Sequence, residues 1–461
     1  MRKIAEAIAL CCFLAVASIL SGCGGAPSRT LPQGFDPEGF QTKALTAFTP
    51  REGLPNFFHK LKTKSEEVRI AYFGGSITAQ EGYRVYSREY LQQQYPDTRF
   101  VEINAAIGGT ATDLGVFRCF HDVIVHKPDL VIIEFAVNDA GLQPLEIRRN
   151  LEGIIRQIWS ADATTDILLL YLVTSANQEE LTKDQMARSA SVMEDVASWY
   201  GIPSVHGGYL LSGLLKQDRL VMKASQEGVR RVSGDELNIP GDEMSVDSLG
   251  RIPFAPDGVH PFLETGHRLY MRSIREALPG IEAAGSTPVR HSLGEKMVSD
   301  ARDEVATVPM RDPSILLSGP WKVNGKDDAV SGGFLDRSDE FLTFEPGSAI
   351  RFRFKGSMAA IYDLIGPEGG SLDITVDGGE KRHVELIDKY CTYHRLALLT
   401  LSSDLDPSKI HEVFIEVSDA PIDKRAILQD NFPDFDAHPE KYTPRRFFAG
   451  CLFVTGKMIS D

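Results

Sequence analysis

Val68-Arg69-Ile70-Ala71-Tyr72-Phe73-Gly74-Gly75-Ser76-Ile77-Thr78 is the stretch from which the architecture can be read. Its first six residues form a near-continuous apolar run, short enough for a strand. The run stops at two glycines, and a polar stretch of helical character follows through Gln94. A strand that is apolar on both faces belongs in a parallel sheet covered on both sides. The unit recurs downstream at Phe100–Asn104, at Leu130–Phe135 behind Pro128, at Ile167–Val173, and more briefly at Ile202–Val205. Between these runs, Leu145–Trp159 and Lys183–Tyr200 place apolar residues three and four apart, as amphipathic helices do. Alternating strands and helices predict an α/β domain over residues 60–282.

Four short blocks punctuate this pattern: Gly74-Gly75-Ser76-Ile77-Thr78, Ile107-Gly108-Gly109-Thr110, Val137-Asn138-Asp139 and Asp257-Gly258-Val259-His260-Pro261. All but the last directly follow an expected strand. Open α/β sheets bind ligands beyond the carboxyl ends of their strands, so topology would bring the blocks together. A serine hydroxyl becomes a nucleophile when a base takes its proton. His260 is the candidate base, and Asp257, three residues earlier across Gly258, is placed to fix its tautomer. Pro261 suits the first position of a following helix. Stabilising an oxyanion requires donors free of competing negative charge. The Ser76 amide, the Gly109 amide and the Asn138 side chain are the candidates, with Gly108 a credible substitute for Gly109. Gly74 and Gly75 are expected to leave room for an acyl group beside the serine, and Asp139 to cap the next helix. His121, His126, His206 and His267 have no comparable setting and are read as structural. No His, Asp or Glu cluster has metal-ligand spacing, and no cofactor is expected.

Taken together in this order, the blocks resemble those of the SGNH hydrolases in the broader GDSL esterase superfamily. Ser76, Gly109, Asn138 and His260 stand at the four name-giving positions, and Asp257 is the third triad member. The likeness covers roughly residues 66–280. It implies a flavodoxin-like three-layer α/β/α domain and a serine esterase. Gly75 departs from the pattern, since the GDSL motif has aspartate there.

After Pro313 the period changes to two. Ile350–Phe354 and Leu372–Val376 alternate, the latter running into the hairpin signal Asp377-Gly378-Gly379. Leu396–Leu401, Val413–Val417 and Phe447–Val454 continue the pattern, around a Pro- and charge-rich excursion at 420–446. Residues 313–461 are therefore expected to form an antiparallel β-sandwich, jelly-roll-like by the family resemblance, with 283–312 as a linker. Trp321, Tyr390 and Tyr393 are either core residues of this sandwich or aromatic platforms for sugar rings.

The chain has 461 residues and a net charge of −15, a field that repels nucleic acid and polyanionic glycans. Arg2 and Lys3 precede a mainly apolar run from Ala5 to Leu20, shorter than the roughly 20 residues a spanning helix needs. Leu20-Ser21-Gly22-Cys23 then resembles a bacterial lipobox. Residues 1–22 are read as a signal peptide, Cys23 as a lipidated residue, and 23–59 as a tether and lead-in. That implies a bacterial envelope protein held to the membrane by its lipid, facing the periplasm or the cell surface. Cys119, Cys391 and Cys451 remain after cleavage, either as buried thiols or with one pair between Cys391 and Cys451.

The layout resembles bacterial esterases that remove acetyl groups from polysaccharides. The expected substrate is an acylated carbohydrate, cleaved through an acyl-serine intermediate. Removal of 313–461 is expected to harm action on polysaccharide more than on aryl acetate. Competing readings on the same scaffold are a lipase or thioesterase, an O-acyltransferase, and a non-catalytic glycan-binding lipoprotein.

Overall fold

The computed structural model describes residues 31, 34–233, 243–335 and 337–460. Residues 1–22, read above as a signal peptide, and Cys23 lie outside the described residues. Five parallel strands, β1 (Glu67–Gly74), β2 (Arg99–Asn104), β3 (Leu130–Glu134), β4 (Asp166–Tyr171) and β5 (Ser204–His206), form the central sheet. Their spatial order is β2-β1-β3-β4-β5, with Phe48–Thr49 added antiparallel at the β5 edge. This is the flavodoxin-like order, with a switch point between β1 and β3. All five residues of β3 and all six of β4 are buried, as their unbroken apolar runs require.

Helices cover both faces. On one face α3 (Thr112–Asp122) packs on α4 (Pro144–Ala161), and α4 on α5 (Arg188–Tyr200). On the other, α2 (Tyr83–Gln94) packs on α7 (Gly266–Ala284), which also touches α6 (Gly208–Lys216). The domain begins earlier than expected. Helix α1 (Pro55–Lys62) and the Phe48–Thr49 strand lie in what the sequence suggested was lead-in, and the Pro37 and Gly39 carbonyls accept hydrogen bonds from Arg148 Nη1, both at 2.7 Å. The segment after α6 holds two short strand pairs, Leu220–Lys223 beside Ile252–Ala255, and Arg230–Ser233 beside Glu243–Val246.

The expected linker is neither free nor wholly irregular. His291 stacks on Trp159 with ring centroids 4.6 Å apart, and its Nε2 meets Asp166 Oδ1 at 2.7 Å. The Met297 and Val298 amides donate to Glu152 at 2.5 and 2.9 Å. Strand β6 (Val305–Pro309) already belongs to the second domain, so that domain starts at 305 rather than 313.

The second domain is a sandwich of two antiparallel sheets. One carries β7 (Leu342–Phe344), β9 (Ala359–Ile365), β11 (Arg395–Ser402) and β13 (Phe447–Thr455), with β6 paired on β13. The other carries β8 (Ala349–Lys355), β10 (Ser371–Val376) and β12 (Ile410–Ser418). Beyond β10, Asp377 and Gly378 both adopt positive φ, +52° and +67°, the geometry an Asp-Gly hairpin turn needs. The excursion at 420–446 contains short helices, including Phe432–Ala437 and Pro439–Tyr442, where the sequence showed no helical period. Cys119, Cys391 and Cys451 are buried free thiols.

Between the sheets, Phe352, Phe354, Leu372, Ile415, Leu452 and Val454 form one core. The opposite face of the first sheet is also buried: Tyr362, Leu364, Phe448 and Phe453 join the core of the α/β domain. Phe453 stacks on Phe117 of α3 at 4.9 Å, with rings 13° from parallel. Every residue of β13 is consequently buried.

Candidate active site

Ser76 opens a single helical turn, Ser76–Ala79, at the carboxyl end of β1. His260 Nε2 lies 2.8 Å from Ser76 Oγ, and His260 Nδ1 lies 2.6 Å from Asp257 Oδ2. The other carboxylate oxygen of Asp257 accepts the backbone N–H groups of Val259 and His260, each at 2.8 Å. One aspartate thus shapes the loop and orients the imidazole. Partial burial pushes the Asp257 carboxyl upward, but the His260 imidazole and these amides outweigh it and hold the group at about 2. Gly258 sits at φ +82°, its carbonyl accepts the Ser175 amide at 2.7 Å, and a Cβ there would collide with the Ser175 side chain. Two constraints therefore demand glycine. Pro261 does not start a helix, because α7 begins at Gly266 and residues 261–265 form the turn before it.

The glycines before the serine serve a different purpose from the one their sequence suggested. Neither has positive φ, and neither leaves a gap for an acyl group. A Cβ on Gly74 would strike the Glu134 carbonyl and the Thr78 hydroxyl; a Cβ on Gly75 would strike Asn138 Oδ1. The missing side chain at 75 is what lets the Asn138 amide lie against the nucleophile turn, which accounts for the absence of aspartate there. Gly108 and Gly109 are exposed beyond β2. A Cβ on Gly108 would be 3.6 Å from Ser76 Cβ, whereas the same position on Gly109 faces open space. Gly109 needs to be glycine for its φ of +74°.

Asp139 caps a helix, although not the next one. Its buried carboxyl accepts the Thr112 amide at 2.9 Å and the Thr112 hydroxyl at 2.8 Å, closing the N-terminus of α3. Burial pushes it up to about 7. Beneath the serine, Glu134 ends β3 fully buried and burial pushes it up to about 8. Thr78 Oγ1 lies 2.8 Å from Glu134 Oε2 and 2.6 Å from Tyr83 Oη. Arg118 of α3 reaches the same region from the side. Glu134, Tyr83 and Arg118 carried no local sequence signal, because their partners are contributed by other elements. His206 and His267 are buried, and burial lowers both to about 4.

Residues 72–224 match the model of the GDSL-like lipase/acylhydrolase family. Over this segment the α/β domain is similar to the GDSL-like lipases and acylhydrolases. Asp257 and His260 lie beyond the matched segment, and the fold carries them to Ser76. With serine, imidazole and carboxylate in contact, the α/β domain is built as a serine ester hydrolase.

Two solved structures extend the likeness over both domains. One is a two-domain esterase (CEX) active on acetylated mannans, co-crystallised with mannopentaose. It is 19% identical, with 92% of this chain and 100% of that chain covered at a TM-score of 0.64. The other, a two-domain esterase (CEX) active on acetylated mannans, is 18% identical over 88% and 99% of the two chains, at a TM-score of 0.63. At these identities the likeness speaks to the fold: an α/β domain followed by a sandwich. No curated protein matches the chain in sequence.

Proposed function

We propose that this chain is a carbohydrate O-acetylesterase that works through an acetyl-Ser76 intermediate. The observation that carries the proposal is the openness of the triad. His260 and Asp257 side chains are 40% and 49% exposed, and neither of the clefts at the domain junction, about 530 and 290 Å³, is lined by a triad residue. A lipase gains roughly 0.8 kcal/mol for each methylene it buries, and needs apolar walls to do so. A triad open to solvent instead suits a small acyl group on a large hydrated substrate. The two-domain likeness to an esterase active on acetylated mannans supports an acetylated mannan as the first substrate to test.

In this reading His260 Nε2 takes the Ser76 proton as Oγ attacks the ester carbonyl. Amides of Ser76 and Gly109 and the Asn138 side chain hold the oxyanion. His260 then protonates the departing sugar hydroxyl, and later activates the water that releases acetate. Solvent access to the pair favours hydrolysis over transfer to a second sugar. On the exposed rim of the sandwich, Tyr390 and Tyr393 are 52% and 59% accessible and available for stacking on sugar rings.

Cys23 and the leader suggest the location: a lipid-anchored protein of the bacterial envelope. Cys23→Ser should abolish metabolic labelling with a fatty acid; unchanged labelling would remove the anchor from the proposal. For the activity, acetate release from acetylated mannan should exceed that from acetylated xylan, and turnover on aryl esters should fall sharply beyond about four carbons. Ser76→Ala should lose at least about a thousandfold in kcat with the fold intact. A rate that climbs with acyl length would move the assignment to lipase or thioesterase.

A further inference from the structure

We infer that Arg118 is a positioning residue for this reaction, tying the loop that bears Gly109 to the turn that bears Ser76. The inference rests on the catalytic reading above, and extends it to a group that no substrate can touch.

Arg118 lies on α3 and is only 4% exposed. Its Nη1 donates to the Ala105 carbonyl at 2.5 Å, at the start of the loop after β2. Its Nη2 donates to the Thr110 hydroxyl at 3.2 Å, immediately after Gly109, and to the Gly74 carbonyl at 3.1 Å, two residues before Ser76. One planar group therefore grips both ends of the loop 105–110 and the end of the nucleophile strand. The loop adds its own cross-links: the Ile107 amide also donates to the Gly74 carbonyl at 3.1 Å, and the Thr110 hydroxyl donates to the Ile107 carbonyl at 2.9 Å.

The guanidinium is boxed in. Its carbon lies 4.5 Å from the centre of the Phe73 ring and 5.7 Å from that of Phe135. Its charge is met by Asp122 Oδ2 at 2.8 Å, one turn along α3. Burying an ion pair is costly, and an apolar side chain could fill the same volume. What the apolar residue could not do is fix the direction of three acceptors, one at the end of β1 and two in the loop after β2. A lysine, a compact point charge, could not span all three. Oxyanion donors work only when aimed at where charge develops, and a misplacement of about 1 Å can cost roughly a hundredfold.

The test compares Arg118→Lys and Thr110→Val with the full-length parent on an aryl acetate, alongside inhibition by an alkyl boronic acid that forms a tetrahedral adduct on serine. Arg118→Lys should lower kcat by about 30- to 100-fold and Thr110→Val by several-fold, with KM within about twofold. Boronate affinity should fall in proportion to kcat/KM, a change that mere loss of packing would not produce. Circular dichroism reports folding; if Arg118→Lys does not fold, Thr110→Val decides alone. Wild-type turnover and boronate affinity in folded variants, or a loss confined to KM, would overturn the inference. Fluorophosphonate labelling separates the two levels: an unlabelled Ser76 in the parent overturns the catalytic reading and this one together, whereas a labelled parent with unaffected variants overturns only the role of Arg118.

Discussion

Gly75 and Asn138 compete for the same space, and the glycine yields it. Adding one methyl group at 75 would push against Asn138 Oδ1. Gly75→Ala should therefore reduce kcat by about a hundredfold, the order seen when an oxyanion donor is lost, while secondary structure is unchanged. Aryl-acetate kinetics beside circular dichroism check this. Glu134 offers a second test. Its folded pKa is raised to about 8, so the folded state holds a proton that the unfolded chain has released at neutral pH. Its contribution to stability is complete below the ordinary carboxylate range and lost as pH rises through about 8. Glu134→Gln should thus melt close to wild type at pH 5 and a few degrees above it at pH 9. Equal melting shifts at both values would refute an ionising Glu134. Ser76, Asp257 and His260 were legible in the sequence because each lies in a short block with its own turn chemistry. Arg118 and Glu134 were not, since their roles depend on which carbonyls and hydroxyls the tertiary fold gathers around them.

At the level of elements, α3 links two of the catalytic blocks. Asp139, next to Asn138, closes its first turn by accepting from Thr112, and Ala111 at the cap position has no side chain able to do so. Asp139→Ala should cost about 1–2 kcal/mol, and Asp139→Asn, which keeps an acceptor, much less. Urea titration of both variants measures the difference; equal losses would mean that the charge, not the cap, matters. The central strands β3 and β4 were readable because burial on both faces leaves an apolar run. The segment 285–304 was not. It is held by His291, Met297 and Val298 to side chains of β4 and α4, and such attachments have no period. Pro261 misled for a related reason: a proline fits the start of a helix, but here the Phe262 amide bonds to the Phe254 carbonyl and delays the helix to Gly266.

Across the whole molecule, the two domains share one apolar core, with Phe117 and Phe453 face to face. The sandwich is therefore not a detachable module. Deleting residues 313–461 would bare the outer wall of α3, and activity on aryl acetate should collapse along with activity on polysaccharide, contrary to what the sequence suggested. Phe453→Ala should cost about 3–5 kcal/mol and lower the melting of both domains together. Calorimetry tests this: two separated transitions, only one of them shifted, would show the domains to be independent. The sequence pattern revealed two domains through their different periods, but a period describes one face of an element. The second buried face of β13 shows only once its partner is in place.

The position of β13 in the chain has a consequence for biogenesis. Residues 447–455 pair with 305–309 and also supply the wall that covers α3. Ser76, Asn138 and His260 leave the ribosome long before that strand does. Until it arrives, the helix that steadies the nucleophile turn presents bare hydrophobic surface, a state prone to aggregation. Maturation of the site is thus coupled to late, long-range pairing, which is intrinsically slow. A nonsense codon just before Phe447 would spare Ser76, Asn138, Asp257 and His260, yet the truncated chain should show no esterase activity.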